Sequence, residues 1–171
     1  MKHWVAVMGA LGLSIIVWSQ TAPSRAKAEL KNAQGQAVGK AVFRPAQDGV
    51  AMTLEVKGLT PGLHGIHIHE VGKCEAPDFK TAGSHFNPHG KHHGSLNPQG
   101  EHAGDLGNLT VGKKGTVKVK LLAKGVTLGE GDASLFHPGG TSLVIHANPD
   151  DLKTDPAGNA GPRIVCGVIT R

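Results

Sequence analysis

Hydrophobic and polar residues alternate along several short stretches of this chain, and this two-residue period predicts β-strands. Residues 50–57 and 116–121 show it most clearly, with an apolar side chain at every second position. The remaining predicted strands are residues 37–43, 63–69, 106–111, 142–146 and 164–169. No stretch beyond residue 28 has a helical period. Short strands at this spacing predict an all-β protein, an antiparallel sandwich or barrel.

Two stretches between the predicted strands lack any period. Residues 70–104 are rich in glycine, proline and histidine, and residues 147–162 are rich in aspartate, asparagine, proline and glycine. Long loops on a compact β-scaffold are either disordered or functional, and these two contain most of the unusual chemistry of the chain. We therefore expect two long functional loops, the first loop (70–104) and the second loop (147–162).

The N-terminus has the pattern of an export signal. Lys2 and His3 precede an apolar run over residues 4–18, which is short for a membrane span. A polar stretch then ends in the A-x-A sequence of residues 26–28. We predict a signal peptide at residues 1–28 and one domain at residues 29–171, with an uncleaved N-terminal tether as the alternative. The mature protein would be periplasmic, in the cell envelope or extracellular, without stable membrane insertion.

The charge of the chain argues against nucleic acid as a partner. The full chain has 18 basic and 13 acidic residues and a formal net charge of +5. Removal of residues 1–28 takes away Lys2, Arg25 and Lys27, which leaves a net charge of only +2. No basic stripe with interleaved aromatic residues appears, so we expect no nucleic-acid partner.

Two cysteines, Cys74 and Cys166, are the only ones in the chain. A lone pair in an exported protein most simply forms one disulfide, which would here join residues 92 positions apart. Two free thiols, or thiolates that bind a metal, are the alternatives. A thiolate metal site would need more sulfur nearby, so the disulfide is the favoured prediction.

Ten of the eleven histidines fall between residues 64 and 146, and the stretch GLHGIHIHE contains three of them. Residues two apart point to the same face of a strand, so His67 and His69 can converge while the neighbouring isoleucines face the core. His64 does not share that face and is expected to form structural hydrogen bonds. A solvated surface pair is the alternative interpretation of His67 and His69.

Further candidate ligands follow in and after the first loop and at the end of a predicted strand. They are His85, His89, His92, His93, His102, Asp105 and His146. Neutral imidazoles suit zinc and copper, and one carboxylate beside two or three imidazoles is a common zinc shell. One tetrahedral ion cannot use so many ligands, so we expect two metals. The chemistry alone leaves two classes open, a zinc hydrolase or lyase and a redox copper protein.

Five motifs, taken in order, resemble the copper-zinc superoxide dismutases of the bacterial exported type. They are GLHGIHIHE, AGSHFNP, HAGDLGN, LVIHANPDD and GNAGPRIVCGVI. The resemblance covers about residues 29–171, and five motifs in the same order make it specific. It implies a Greek-key β-sandwich or flattened barrel, in agreement with the strand pattern.

Carried over residue by residue, the resemblance implies two metal sites that share one histidine. The implied copper ligands are His67, His69, His85 and His146. The implied zinc ligands are His85, His93, His102 and Asp105. His93 matches the family pattern because it lies eight residues after His85, with the adjacent His92 as the alternative.

Four other residues match functional positions of the family. Asp150 matches an aspartate that hydrogen-bonds a ligand histidine of each metal and so fixes the orientation of both rings. Arg163 matches the active-site arginine, a fixed guanidinium that can dock a small anion. Cys74 and Cys166 match the family's disulfide. The extra imidazoles, those of His89, His92 and His137, have no role in the pattern.

The implied activity is the conversion of superoxide to oxygen and hydrogen peroxide by alternating reduction and re-oxidation of copper. His85 and Arg163 would be the catalytic residues, and each subunit would hold one copper and one zinc ion. The rival is an exported dismutase-like metal-binding or carrier protein without turnover. Such relatives have a copper ligand or the arginine replaced, whereas here all are present. Superoxide is the implied partner, and both a monomer and a homodimer are compatible with the sequence.

Overall fold

Eight antiparallel strands make up most of the regular structure in residues 23–171, the part of the chain that the computed structural model describes. The strands are β1 (Ala26–Asn32), β2 (Ala37–Ala46), β3 (Gly49–Lys57), β4 (Gly62–His69), β5 (Asp105–Val111), β6 (Thr116–Lys124), β7 (Ser142–His146) and β8 (Arg163–Val168). The predicted signal sequence, apart from its last six residues, lies outside the described residues.

One sheet contains all eight strands in the order β5-β4-β7-β8-β1-β2-β3-β6. The neighbours β4 and β7, and β8 and β1, are far apart in sequence, as in Greek-key connections. The two edge strands, β5 and β6, contact each other, so the sheet curls into a nearly closed barrel. The predicted all-β antiparallel fold is confirmed.

The barrel interior follows from the alternation of the strands. On β3, Val50, Met52, Leu54 and Val56 are all buried, whereas Lys57 at its end is exposed. Their partners on β2 and β6 alternate in the same way, because paired residues in an antiparallel sheet point to the same side. The apolar side chains thus form one core, and the polar ones form the outer surface of the barrel.

Strand β1 begins inside the segment predicted to be removed on export. Ala26 and Ala28 are 1% exposed, and they pair with Phe43 and Ala41 of β2. A cut after Ala28 would take these buried alanines out of the sheet. The domain described by the structure therefore starts at Ala26, and the cleavage position stays a prediction.

The two predicted loops lie outside the sheet. The first loop contains one short 3₁₀ turn, Lys80–Ala82, and the second loop joins β7 to β8. A disulfide between Cys74 and Cys166 ties the first loop to β8, as predicted. Within residues 23–171 we find no helix of the length and apolar character needed to cross a membrane.

Candidate metal centre

Strand β4 provides the first two histidines of the site. His67 and His69 are fully buried, and the alternating residues Ile66 and Ile68 fill the barrel core on the other face. His146 ends β7, which pairs with β4. Strand pairing therefore places three imidazoles at one end of two neighbouring strands.

A histidine of the first loop, His85, completes a cluster of four. One ring nitrogen from each imidazole lies within 4.8 Å of the others. These atoms are buried without a hydrogen-bond partner among the described residues, and they are His67 Nδ1, His69 Nε2, His85 Nε2 and His146 Nε2. Buried polar atoms are nearly always satisfied, so four convergent free nitrogens fit a metal ion that accepts imidazole ligands.

The opposite nitrogen of each strand histidine is held by the protein. His69 Nδ1 donates to the carbonyl oxygen of Gly83 over 3.0 Å. His146 Nδ1 donates to the carbonyl oxygen of Gly161, also over 3.0 Å. Each bond fixes the tautomer, because a nitrogen that carries the proton leaves the other nitrogen as a free lone pair for a metal.

Burial keeps these imidazoles neutral. Loss of solvent lowers the pKa of His67 to about 3 and that of His146 to about 4. It also holds the pKa of His69 well below its ordinary value and lowers the pKa of His85. A neutral imidazole is the form that binds a metal, so this cluster needs no proton removed at neutral pH.

A second cluster lies beside the first and shares His85 with it. Its members are His85, His93, His102 and Asp105. Asp105 is central, since its Oδ1 lies 2.9 Å from His85 Nδ1 and 3.3 Å from His102 Nδ1, and its Oδ2 lies 3.1 Å from His93 Nδ1. Three imidazoles and one carboxylate are a zinc-type ligand set.

Strand pairing brings the two clusters together. Asp105 is the first residue of β5, and it pairs with His67 across β4 and β5 after a shift in register. His85 presents Nε2 to the first cluster and Nδ1 to the second. One imidazole can therefore contact two ions at once.

Asp150 of the second loop links the two clusters through the ring nitrogens that face away from them. Its Oδ2 accepts a hydrogen bond from His67 Nε2 over 2.7 Å, and its Oδ1 accepts one from His93 Nε2 over 3.0 Å. Burial acts to lower the pKa of His93, but hydrogen bonds to Asp105 and Asp150 outweigh it and raise the pKa to about 10. The ring must give up this proton when it binds a metal, so metal binding here is coupled to proton release.

Arg163, at the start of β8, is held by two carbonyl oxygens of the first loop. Nη1 donates to Phe79 over 2.8 Å, and Nη2 donates to Gly83 over 2.7 Å. The Gly83 oxygen is the same atom that orients His69. The guanidinium is thus fixed beside the first cluster and keeps its positive charge available to an anion.

Four histidines of residues 23–171 lie outside both clusters. His64 is buried, with its nitrogens 2.7 Å from the His146 carbonyl oxygen and 2.9 Å from that of Thr60. The others contact different groups: His89 the Gly125 carbonyl, His92 the Asp155 carboxylate, and His137 the ring of Phe86. None of them belongs to a group of convergent ligands among the described residues.

The sequence interpretation missed three residues that support the site. Asn108 exchanges two 2.8 Å hydrogen bonds with the backbone of Asp150. Asp155 accepts the backbone N–H of His93 over 2.6 Å. Gly158 has φ +60°, and a Cβ there would collide with the Asp150 carboxylate. Asn108 lies inside the HAGDLGN motif, so the motif carried that signal, whereas nothing in the local pattern marked Asp155.

Comparison with known proteins agrees with this geometry. Residues 37–169 match the family model described as copper/zinc superoxide dismutase. The chain is 52% identical over 147 residues to superoxide dismutase [Cu-Zn] 2 of Aquifex aeolicus, which covers 85% of this chain and 86% of the relative.

Two solved structures have the same fold. A superoxide-dismutase-like protein from Bacillus subtilis superposes with a TM-score of 0.81 at 40% identity, over 83% of this chain and 96% of that one. The Cu/Zn superoxide dismutase of Brucella abortus gives 0.67 at 29% identity, over 84% and 98%. With the family model matching most of its length, the chain belongs to the copper/zinc superoxide dismutase family.

Proposed function

We propose that this protein converts two superoxide anions and two protons to oxygen and hydrogen peroxide, with copper in the first histidine cluster and zinc in the second. The observation that carries the proposal is the set of free, buried imidazole nitrogens that converge on two adjacent points with His85 between them. A structural metal site would need only one such point, and a hydrolytic zinc site would not need the second cluster.

The proposed ligands follow from which atoms are free. Copper would be held by His67, His69, His85 and His146, and zinc by His85, His93, His102 and Asp105. Bound copper supplies the one-electron oxidation and reduction of superoxide. Imidazole ligands suit copper, whereas zinc does not change oxidation state and fits the site with the carboxylate.

The remaining chemistry belongs to the chain itself. His85 can take up a proton at Nε2 while its Nδ1 stays beside Asp105, so one ring stores a proton next to the reacting anion. Arg163 offers a guanidinium fixed by two hydrogen bonds, which positions an anion near the copper ligands without reorganisation. Asp150 keeps His67 and His93 in the tautomers that present Nδ1 to the metals.

The second candidate is a metal carrier of the same fold without turnover. The presence of Arg163 beside a complete copper cluster favours the enzyme, because a carrier has no need of an anion-docking group. The disulfide between Cys74 and Cys166 supports the proposal of export, since disulfides persist in oxidising compartments. We further propose a cleaved leader, with monomer or homodimer to be decided by sedimentation of the mature protein.

The test is a superoxide-consumption assay on protein reconstituted with copper and zinc, with the metal content measured on the same sample. We expect fast turnover only when both metals are bound. His146→Ala should abolish turnover and spare zinc, whereas the matched variant His89→Ala, which changes a histidine outside both clusters, should keep turnover. Full occupancy of both metals without superoxide consumption would establish the carrier instead.

A further inference from the structure

The basic side chains of the barrel are concentrated on one outer surface. The outward positions of β1, β2, β3 and β6 carry eight exposed cations, which we call the basic face: Lys27, Lys31, Lys40, Arg44, Lys57, Lys118, Lys120 and Lys124. Only two acidic residues, Glu29 and Glu55, lie among them on these strands. The other basic residues of the described chain are outnumbered by acidic ones, so this surface is the most positive part of the molecule.

One row across the basic face is neutralised and the rest is not. Glu55 pairs across the sheet with Lys40 and Lys118, and its carboxylate lies 3.6 Å and 2.6 Å from their Nζ atoms. In contrast, Lys120 and Lys124 form no ion pair within residues 23–171, and the same is true of Arg44. The β2–β3 turn at this end of the sheet carries one exposed carboxylate, Asp48, so the three cations retain a net positive charge.

Apolar side chains lie between these unpaired cations. Arg44 pairs with Ala51 on β3, and Ala51 pairs with Leu122 on β6. Leu122 is 40% exposed although it sits on an otherwise charged strand. Cations on flexible stems around an exposed leucine are the composition of surfaces that lie on a lipid interface.

The basic face is distinct from the metal centre. The candidate ligands come from β4, β5, β7 and the first loop, and β1, β2, β3 and β6 contribute none of them. The two regions meet at one hollow, where Leu122 and Lys124 of the basic face lie opposite the first loop. The same hollow is lined by the candidate zinc ligands His102 and Asp105, whereas no candidate copper ligand and no part of Arg163 lines it. Contact through the basic face would leave the guanidinium of Arg163 free to receive an anion.

We propose that the basic face docks this protein on an anionic phospholipid surface. Seven of its eight cations are lysines, of which only Lys27 would be lost to a cut after Ala28. Lysines attract a negative surface as point charges without the bidentate geometry that selects one headgroup. Each lysine or arginine near an anionic membrane strengthens binding by about fivefold. Several unpaired cations acting together, with Leu122 between them, give reversible binding without insertion.

The experiment uses the exported, metal-loaded protein with its N-terminus determined, so that residues 4–18 do not contribute. Binding is measured by co-sedimentation with vesicles of phosphatidylglycerol and phosphatidylcholine, and with vesicles of phosphatidylcholine alone. We expect binding only to the anionic vesicles, and weaker binding as salt is raised, because exposed charges are screened.

The decisive variant is the triple substitution Arg44→Gln, Lys120→Gln and Lys124→Gln. It should weaken vesicle binding by about 100-fold, since three cations are removed. The matched control, Lys73→Gln with Lys80→Gln and Lys114→Gln, removes the same charge from exposed positions off the basic face and should bind within about threefold of the wild type. Superoxide consumption by the triple variant should be unchanged.

Three results would overturn the proposal. The first is equal loss of binding in the control, which would make net charge the only cause. The second is undiminished vesicle binding by the triple variant. The third is tight binding to a soluble sulfated polysaccharide without any binding to anionic vesicles, which would assign the surface to a carbohydrate polyanion.

Discussion

Asp150 is the residue whose substitution tests the architecture of the site most directly. Its two oxygens accept N–H groups from His67 and His93, and both of those rings then present Nδ1 to a metal. Asp150→Asn keeps the shape and offers only one oxygen, with an NH₂ group at the other position. One of the two imidazole N–H groups must then lose its acceptor.

The geometry indicates which of the two rings loses its hydrogen-bond acceptor. Oδ1 accepts from His93 over 3.0 Å and from the backbone N–H of Leu152 over 2.7 Å, whereas Oδ2 accepts only from His67. We therefore expect the amide oxygen of the variant to stay at the Oδ1 position, and His67 to lose its acceptor. An unsatisfied buried N–H costs about 1–3 kcal/mol, which corresponds to about 10–100-fold in copper affinity. Zinc affinity should fall by less than about tenfold, because the His93 bond is kept.

The assay is competition for zinc and copper against chromophoric chelators of known affinity. Asp151→Asn is the matched control, since Asp151 is the next residue, is exposed, and accepts only from Thr154, Lys153 and Asn159 of the second loop. The control should bind both metals as the wild type does. Wild-type copper affinity in Asp150→Asn, or an equal loss in Asp151→Asn, would refute the bridging role.

Three further predictions follow from the same structure. Arg163→Lys should lower kcat/KM for superoxide by about tenfold at unchanged copper content, because one ammonium cannot keep both carbonyl hydrogen bonds; an unchanged kcat/KM would contradict anion docking. Replacing Cys74 and Cys166 by serine should lower the free energy of unfolding of the metal-free protein by about 4 kcal/mol in urea titrations, since the disulfide closes a long loop, and a loss below about 1 kcal/mol would exclude that contribution. The metal-free protein should lose stability as the pH falls from 6.5 towards 4, because the folded pKa values of His67 (about 3) and His146 (about 4) lie below the ordinary 6.5, so the unfolded chain binds more protons. Each ring contributes about 1.4 kcal/mol per pH unit, and urea titrations that show no pH dependence would contradict this.

The strands of the barrel could be predicted because alternation marks a sheet with one buried face. The alternation at residues 50–57 and 116–121 falls within β3 and β6. Strand β1 was missed although AKAELKN alternates, because its inward residues include two small alanines in an A-x-A arrangement typical of a peptidase site. Periodicity alone does not distinguish a buried Ala-x-Ala strand from a cleavage motif.

The candidate site was harder to predict from local sequence patterns than the strands were. The two-residue period of a strand predicts that His67 and His69 share a face. Nothing in the spacing of the histidines predicts that His146 or His85 lies beside them. That convergence depends on pairing between distant strands and on the first loop, so it came from the family resemblance. The hydrogen bond from the His93 backbone N–H to Asp155 could not be predicted, because hydrogen bonds between loops leave no periodic pattern in a sequence.

The carbonyl oxygen of Gly83 receives both the ring of His69 and the guanidinium of Arg163. A single peptide unit therefore contacts both the guanidinium that would dock an anion and a ring that would hold copper. Gly83 has φ +75°, and an added Cβ would approach Val71 to 2.8 Å and Glu70 to 3.0 Å, so any other residue there would be strained. A displacement of this one carbonyl oxygen would thus be expected to shift the proposed anion site and the proposed copper ligand together.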